Sequence, residues 1–350
     1  MIIKLFAAGV LLVAVLLTVN SQKKMVPNPG LIDSAWWNGL SAEWRDILII
    51  NQQFSKQGID VFALQKDYVN RMKAAGEPEL SPMNTSLHEL NDAMHFNIGY
   101  KDLYARAVRK KMLVPNDTID LNNLAMLDVV YMVNGPADLS PLARFPHLKV
   151  LIINYCGIGN EAPFRQAIDL QPIKFLTSLR VLHCASTGIN SLKDIADLVN
   201  LEELDCSNSN VRTLSPLKKV NRLKKLSVGS DVLSAPVISK LENLEELTLK
   251  GCKKIPALGK LKKLKRLLIA ESELSIVDGR YRLNDLGFLS GLAQLEHLDL
   301  QYTSYKGSLQ VLDNLSNLKS VSLPRVSSNY VTDFKRTHKN CVIINAYEWW

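Results

Sequence analysis

The apolar positions of this chain fall into one frame that recurs through its C-terminal two thirds. The frame Leu-x-x-Leu-x-apolar is seen at Leu148-x-x-Leu151-x-Ile153 and again from Leu179, Leu201, Leu223, Leu244, Leu264, Leu295 and Leu318. A further copy, Leu124-x-x-Leu127-x-Val129, stands upstream. Successive first leucines are 24, 31, 22, 22, 21, 20, 31 and 23 residues apart. Within a frame the second leucine and the apolar residue two places on, such as Leu151 and Ile153, alternate with their neighbours. A short strand turns such a pair to one side. A unit of about 22 residues cannot bury that side alone, so the units must stack into a solenoid. Between the frames lies a second apolar set: Leu139-Ser-Pro-Leu142, Leu214-Ser-Pro-Leu217, Ile255-Pro-Ala-Leu258 and Leu286-Gly-Phe-Leu289. Proline starts a turn and restricts the residue before it, which predicts tight return segments instead of long helices.

Across residues 119–344 this wording resembles the leucine-rich repeat family, in the short-period form found in internalins and in a phosphatase regulatory subunit. The resemblance implies an α/β fold: a horseshoe solenoid of about nine repeats over 116–345, with a parallel β-sheet on its concave face. It also implies a non-enzymatic module that presents this face to a protein or glycan. One departure stands out. Where the family commonly places Asn, three residues after the last strand leucine, this chain has Cys156, Thr187, Ser209, Asp231, Cys252, Ser272 and Thr303. Most are short side chains able to bond nearby backbone, which predicts a weakened form of the turn ladder.

Upstream, the pattern changes. Lys4 precedes an unbroken small and apolar run from Leu5 to Leu17, the layout of a secretory signal (residues 1–21) that is short for a membrane span. The chain is expected to be exported, and Lys23 and Lys24 leave an uncleaved membrane anchor through residues 5–19 as the variant reading. Residues 22–35 read as linker. From 36 to 115 the period is helical. Ser41 caps a helix that turns Trp44, Ile47, Leu48 and Phe54 inward and ends at Gly58, and Asp60 opens another with Val61, Leu64, Tyr68 and Met72 on one face. Leu87, Leu90 and Met94, then Leu103, Ala107 and Met112, predict two more. A helical block in this place shields the apolar end of the first repeat, as solenoid caps must. Cys341-Val-Ile-Ile344 reads as a closing strand, and 346–350 as a tail.

Composition adds three points. There are five cysteines, an odd number with no flanking Cys-rich cap, so this is no disulfide scaffold. Cys184 and Cys206 hold the same inward position in successive repeats, at about 4.8 Å strand spacing, so a bridge between them stays open. Charge is unevenly placed. After the first leucine the row Arg180, Glu202, Lys224, Glu245, Lys265, Glu296, Lys319 alternates in sign, predicting a self-neutralising ladder. The net +8 instead concentrates between Lys218 and Arg266, where 14 basic residues face 4 acidic ones. Lys218, Lys219, Arg222, Lys253, Lys254, Lys260, Lys262 and Lys263 form a basic stripe suited to an anionic glycan, lipid headgroup or acidic partner.

Chemistry is sparse. No metal, phosphate or nucleophile motif occurs. No cofactor, metal or nucleic acid is expected. The candidate partner-binding residues are the outward strand positions of the concave face: Tyr155, His183, Asp205, Asn208, Ser227, Thr248, Lys250, Asp299, Gln301 and Tyr302. A second reading makes the solenoid a regulatory or targeting subunit of a partner enzyme, with the basic stripe on an anionic surface.

Overall fold

The computed structural model describes residues 31–74, 98–115, 118–157, 167–229, 236–250, 255, 257–270, 283, 285–300, 303, 308–323 and 328–345. From Ile32 onward the chain forms one compact unit. Leu87, Leu90 and Met94 lie outside the described residues, as do residues 1–21 and 346–350.

The N-terminal helices start where capping chemistry dictates. Asp33 accepts the Trp36 N–H and opens α1, Ser34–Gly39. Ser41 Oγ accepts the Trp44 N–H and opens α2, Ala42–Lys56. Gln57 then ends the helix and Gly58, at φ 63°, turns the chain in the left-handed region. Asp60 receives the Phe62 and Ala63 amides at the start of α3, Val61–Ala74. α4, Tyr100–Arg109, buries Tyr100, Leu103 and Ala107. Met112 was expected on that same face and is instead exposed, because α4 stops at Arg109 and Lys111 reverses the chain at φ 57°. Leu113 is buried in its place. Arg106 and Lys110 of this segment both reach Asp67, tying α4 to α3. A single-turn α5, Leu121–Leu124, precedes the repeats.

Ten short strands follow, in sequence order and all parallel. They are β1 Val129–Tyr131, β2 Val150–Ile152, β3 Val181–His183, β4 Glu203–Cys206, β5 Lys225–Val228, β6 Glu246–Lys250, β7 Arg266–Ala270, β8 His297–Asp299, β9 Ser320–Leu323 and β10 Val342–Asn345. The register places Val130, Leu151, Leu182, Leu204, Leu226, Leu247, Leu267, Leu298, Val321 and Ile343 in one inward file. All but Ile343 are buried. Each fully buried leucine contributes about 1.5–3 kcal/mol. The first frame needs a correction: Val130, not Leu127, partners Leu151, so that repeat reads Leu127-x-x-Val130-x-Met132. Leu124 belongs to α5 and Leu127 to the turn after it, and their three-residue spacing imitates the frame.

The return segments are single 3₁₀ turns such as Ser140–Arg144, Ser215–Lys219 and Gln310–Asn314, with proline near the start of the first two. The expected ladder is present in part. Cys156 Sγ donates to Met132 O of the preceding repeat at 3.0 Å, whereas Thr187, Ser209 and Thr303 bond carbonyls of their own repeat, Cys184, Cys206 and Leu300. Further cross-repeat bonds come from asparagines just before the frame: Asn200 Nδ2 donates to Thr177 O, Asn243 to Asn221 O and Asn317 to Ala293 O, at 2.9, 2.8 and 2.6 Å. Cys156, Cys184, Cys206 and Cys341 are all free thiols, so Cys184 and Cys206 are not bridged.

The two ends of the sheet differ. At the first end, α2 supplies side-chain amides to backbone groups that no strand reaches. Asn51 Oδ1 accepts the Tyr131 N–H at 2.7 Å while its Nδ2 donates to Tyr131 O at 3.0 Å. Gln52 makes the same two-point pairing with Asp120, and Gln57 with Val114. Trp44 Nε1 donates to Asp138 O, and the Tyr131 hydroxyl to Ile98 O. At the last end Val342 is 61% exposed and Ile343 half-buried, beside α6, Ser328–Thr337, which buries Phe334.

Candidate functional site

The outward face of the sheet carries two rows. The nearer row runs Val129, Val150, Val181, Glu203, Lys225, Glu246, Arg266, His297, Ser320. Every residue in it is half-buried. It therefore passes from an apolar strip on β1–β3 to a charged one on β4–β7. The charges pair across strands: Lys225 with Glu203 at 3.3 Å and Arg266 with Glu246 at 2.7 Å. The adjoining row, just before the strands, behaves likewise, with Lys224–Glu202 at 2.7 Å, Lys265–Glu245 at 3.0 Å and Lys319–Glu296 at 2.6 Å. The alternation expected from sequence is thus realised as ion pairs, each worth about 0–1 kcal/mol at this exposure.

The farther row is Tyr131, Ile152, His183, Asp205, Ser227, Thr248, Leu268, Asp299, Ser322. It holds half of the candidate residues, and it is deeper than alternation alone implies. His183, Asp205, Ser227, Thr248 and Asp299 are all buried. Of the others, Tyr155 and Lys250 are half-buried, Asn208 is exposed, and Gln301 and Tyr302 lie outside the described residues, as do Lys253 and Lys254 of the basic stripe. Lys218, Lys219, Arg222, Lys260, Lys262 and Lys263 are described, and all six are exposed.

Two local arrangements shape this face. His183 Nε2 lies 2.7 Å from Glu203 Oε1, and Phe62 of α3 meets the His183 ring edge-on at 6.1 Å. Burial raises the Glu203 pKa, but the His183 hydrogen bond and the charges of His183 and Lys225 outweigh it and hold the carboxyl below its ordinary value of 4.5. Next to it, Asp205 Oδ1 accepts the Ser207 hydroxyl at 2.7 Å and the Ser207 N–H at 3.0 Å, while Asp205 Oδ2 and Ser227 Oγ are buried without a hydrogen-bond partner. Burial pushes the Lys250 amine down, with the Asp205 carboxylate opposing.

The turn after the strand is left-handed in four consecutive repeats. Asn134, Tyr155, Ser186 and Asn208 share that position, with φ between 52° and 61°. Asn tolerates this conformation, whereas a tyrosine there stores strain on the order of 1 kcal/mol. Beside β1 a cleft of about 310 Å³ opens at the α2–α3 turn, lined among others by Phe54, Ile59, Val61, Phe62, Asp128 and Val129. Sequence reading missed this corner. The signal was present in the frames themselves, where Val129, Val150 and Val181 occupy the position that later repeats fill with charge. Among the described residues no group of three His, Cys, Asp or Glu is placed to hold a metal ion, and no helix is long and apolar enough to cross a membrane.

The family model described as a leucine-rich repeat region matches residues 126–337, more than half of the chain. Among solved structures, internalin C2 from Listeria monocytogenes is similar at 18% identity, covering 66% of this chain and 87% of that one with a TM-score of 0.44. A leucine-rich repeat protein of Leptospira interrogans is similar at 20% identity, covering 58% of this chain and 50% of that one with a TM-score of 0.46. The functional domain of InlJ from Listeria monocytogenes, which includes a cysteine ladder, is similar at 16% identity over 58% and 45% with a TM-score of 0.39. No curated protein matches the chain.

Proposed function

Since this chain belongs to the leucine-rich repeat family, we propose that it is a non-enzymatic scaffold that binds a protein partner with the open face of its sheet. The observation that carries this reading is the apolar strip Val129–Val150–Val181, half-buried in a row that is charged or polar from β4 to β9, with Phe62 and the cleft beside it. Partner-facing surfaces take their energy from such apolar centres, with paired charges as a surrounding rim. Tyr155 and Asn208 contribute from the turn edge, and Lys250 from the middle of the face. The deeper residues His183, Asp205, Ser227, Thr248 and Asp299 act by setting the shape and charge of the floor. Residues 36–115 serve as the cap that closes the first repeat. Export through residues 1–21 places the face outside the cytoplasm.

Site-specific photo-crosslinking in the native host tests this. A photoreactive residue at Val150 is expected to give a discrete protein adduct that Val181→Lys abolishes, whereas the same probe at Asn314, on a return segment, gives none. No adduct from Val150, with or without others elsewhere, would contradict the reading. The mass of the mature chain tests export separately: loss of about 21 residues is expected.

A further inference from the structure

The basic residues of the central repeats divide into two populations. Those on the strands and just before them are spent on the cross-strand ladder described above. Those on the return side are not. Counted from the buried apolar residue of each return segment, Leu217, Ile238 and Leu258, the second residue on is Lys219, Lys240 and Lys260 in three successive repeats. Three residues farther along each of the first and last of these segments stand Arg222 and Lys263. All five side chains are exposed. Among the described residues Lys219 pairs with Asp197 at 3.3 Å, Arg222 forms no ion pair but its charge helps lower the Glu202 pKa, and Lys263 meets the Asn243 side chain, an uncharged group, at 2.7 Å. Because the repeats are in register, these positions form columns along the solenoid axis. Like charges stacked this way repel one another in the free protein, at a cost that an opposite charge laid along them would relieve.

We propose that these columns are a binding site for a linear anionic polysaccharide, which runs along the axis and meets one repeat after another. Three features select this occupant. The site repeats in one dimension, as a linear polyanion does. The segments 215–222, 238–243 and 258–263 contain no aromatic residue, so they offer nothing on which nucleobases could stack. They also lack an exposed large aliphatic, so nothing on them inserts into a lipid surface. This site is independent of the sheet-face reading and stands on a different side of the repeat.

The test is fluorescence anisotropy of a labelled heparin-derived sulfated dodecasaccharide with the full chain at about 50 mM and about 500 mM salt. Binding is expected at the lower salt and strong weakening at the higher. The triple variant K219E/K240E/K260E is expected to lose at least about tenfold in affinity, the Lys→Arg triple to keep it, and Lys224→Glu, within the neutralised ladder, to change it little. Thermal unfolding of each variant reads its folding. The proposal is overturned if the dodecasaccharide fails to bind at low salt, if the Glu triple binds as the parent does, or if duplex DNA or phosphatidylserine vesicles bind more tightly than the sugar.

Discussion

The two ends of the ten-stranded sheet solve one problem differently. A parallel sheet presents unpaired N–H and C=O groups along each outer edge, and it also ends in an open slab of core. At β1 both are met from α2 and α4: Asn51 reproduces the donor and acceptor of a missing strand at Tyr131, while Trp44, Leu48 and Leu103 are buried in the same core as Val130 and Met132. At β10 the Val342 N–H pairs back to Lys319 O, so by the alternation of a parallel ladder the Ile343 N–H points off the edge. Ile343 remains half-buried there. The comparison shows that closing a solenoid takes backbone pairing as well as apolar cover, and that a single well-placed side-chain amide supplies the first.

The largest expected effect separates the ends by core substitution. Leu48→Ala should cost about 2–5 kcal/mol, and Ile343→Ala clearly less, since the latter removes contacts from a site already open to water. Urea midpoints measure both, and equal costs would break the comparison. Next comes Asn51→Ala, which leaves the buried N–H and C=O of Tyr131 without partners at about 1–3 kcal/mol each. Asn51→Asp should also destabilise, because a carboxylate accepts from the N–H but faces the carbonyl with charge.

A pH series gives a smaller, directional effect near the capped end. The Glu203 carboxyl is held below 4.5 in the folded state. A depressed carboxylate pKa adds stability that is present above its unfolded value and lost as pH falls through the folded one. Stability should therefore drop in acid below about pH 4.5, and Glu203→Gln should flatten that part of the profile. The smallest effect belongs to the ladder. Lys319→Ala, near β10, and Lys149→Ala, which removes the 3.3 Å pair with Asp128 near β1, should each cost under about 1 kcal/mol and cost less still in high salt.

Much of this architecture is readable in the chain. Strand positions, their inward file and the sign alternation follow from a frame that repeats with little drift, because stacking forces equivalent residues into one environment. The closing strand was legible in Cys341–Ile344 for the same reason. What escaped has physical causes. The first frame slipped by three residues because Leu124 and Leu127 happen to share its spacing, and only pairing with Leu151 decides between Leu127 and Val130. Alternation tells which face a residue is on but not how deep it sits, so His183 and Asp205 were read as surface and are buried. Asn51 and Gln52 look like solvent-facing helix residues, since their backbone partners are about 70 residues or more away in sequence. Periodicity put His183, Asp205, Ser227, Thr248 and Asp299 on the outward side of the strands, while the apolar corner emerged only when α3 was seen against β3.

The most direct test is native-state hydrogen exchange on the full chain, comparing the Tyr131 and Ile343 amides. If the side chain of Asn51 stands in for a strand, Tyr131 exchanges orders of magnitude more slowly than Ile343, and Asn51→Ala brings it close to the Ile343 rate. Equal exchange of the two amides in the parent protein would contradict the account.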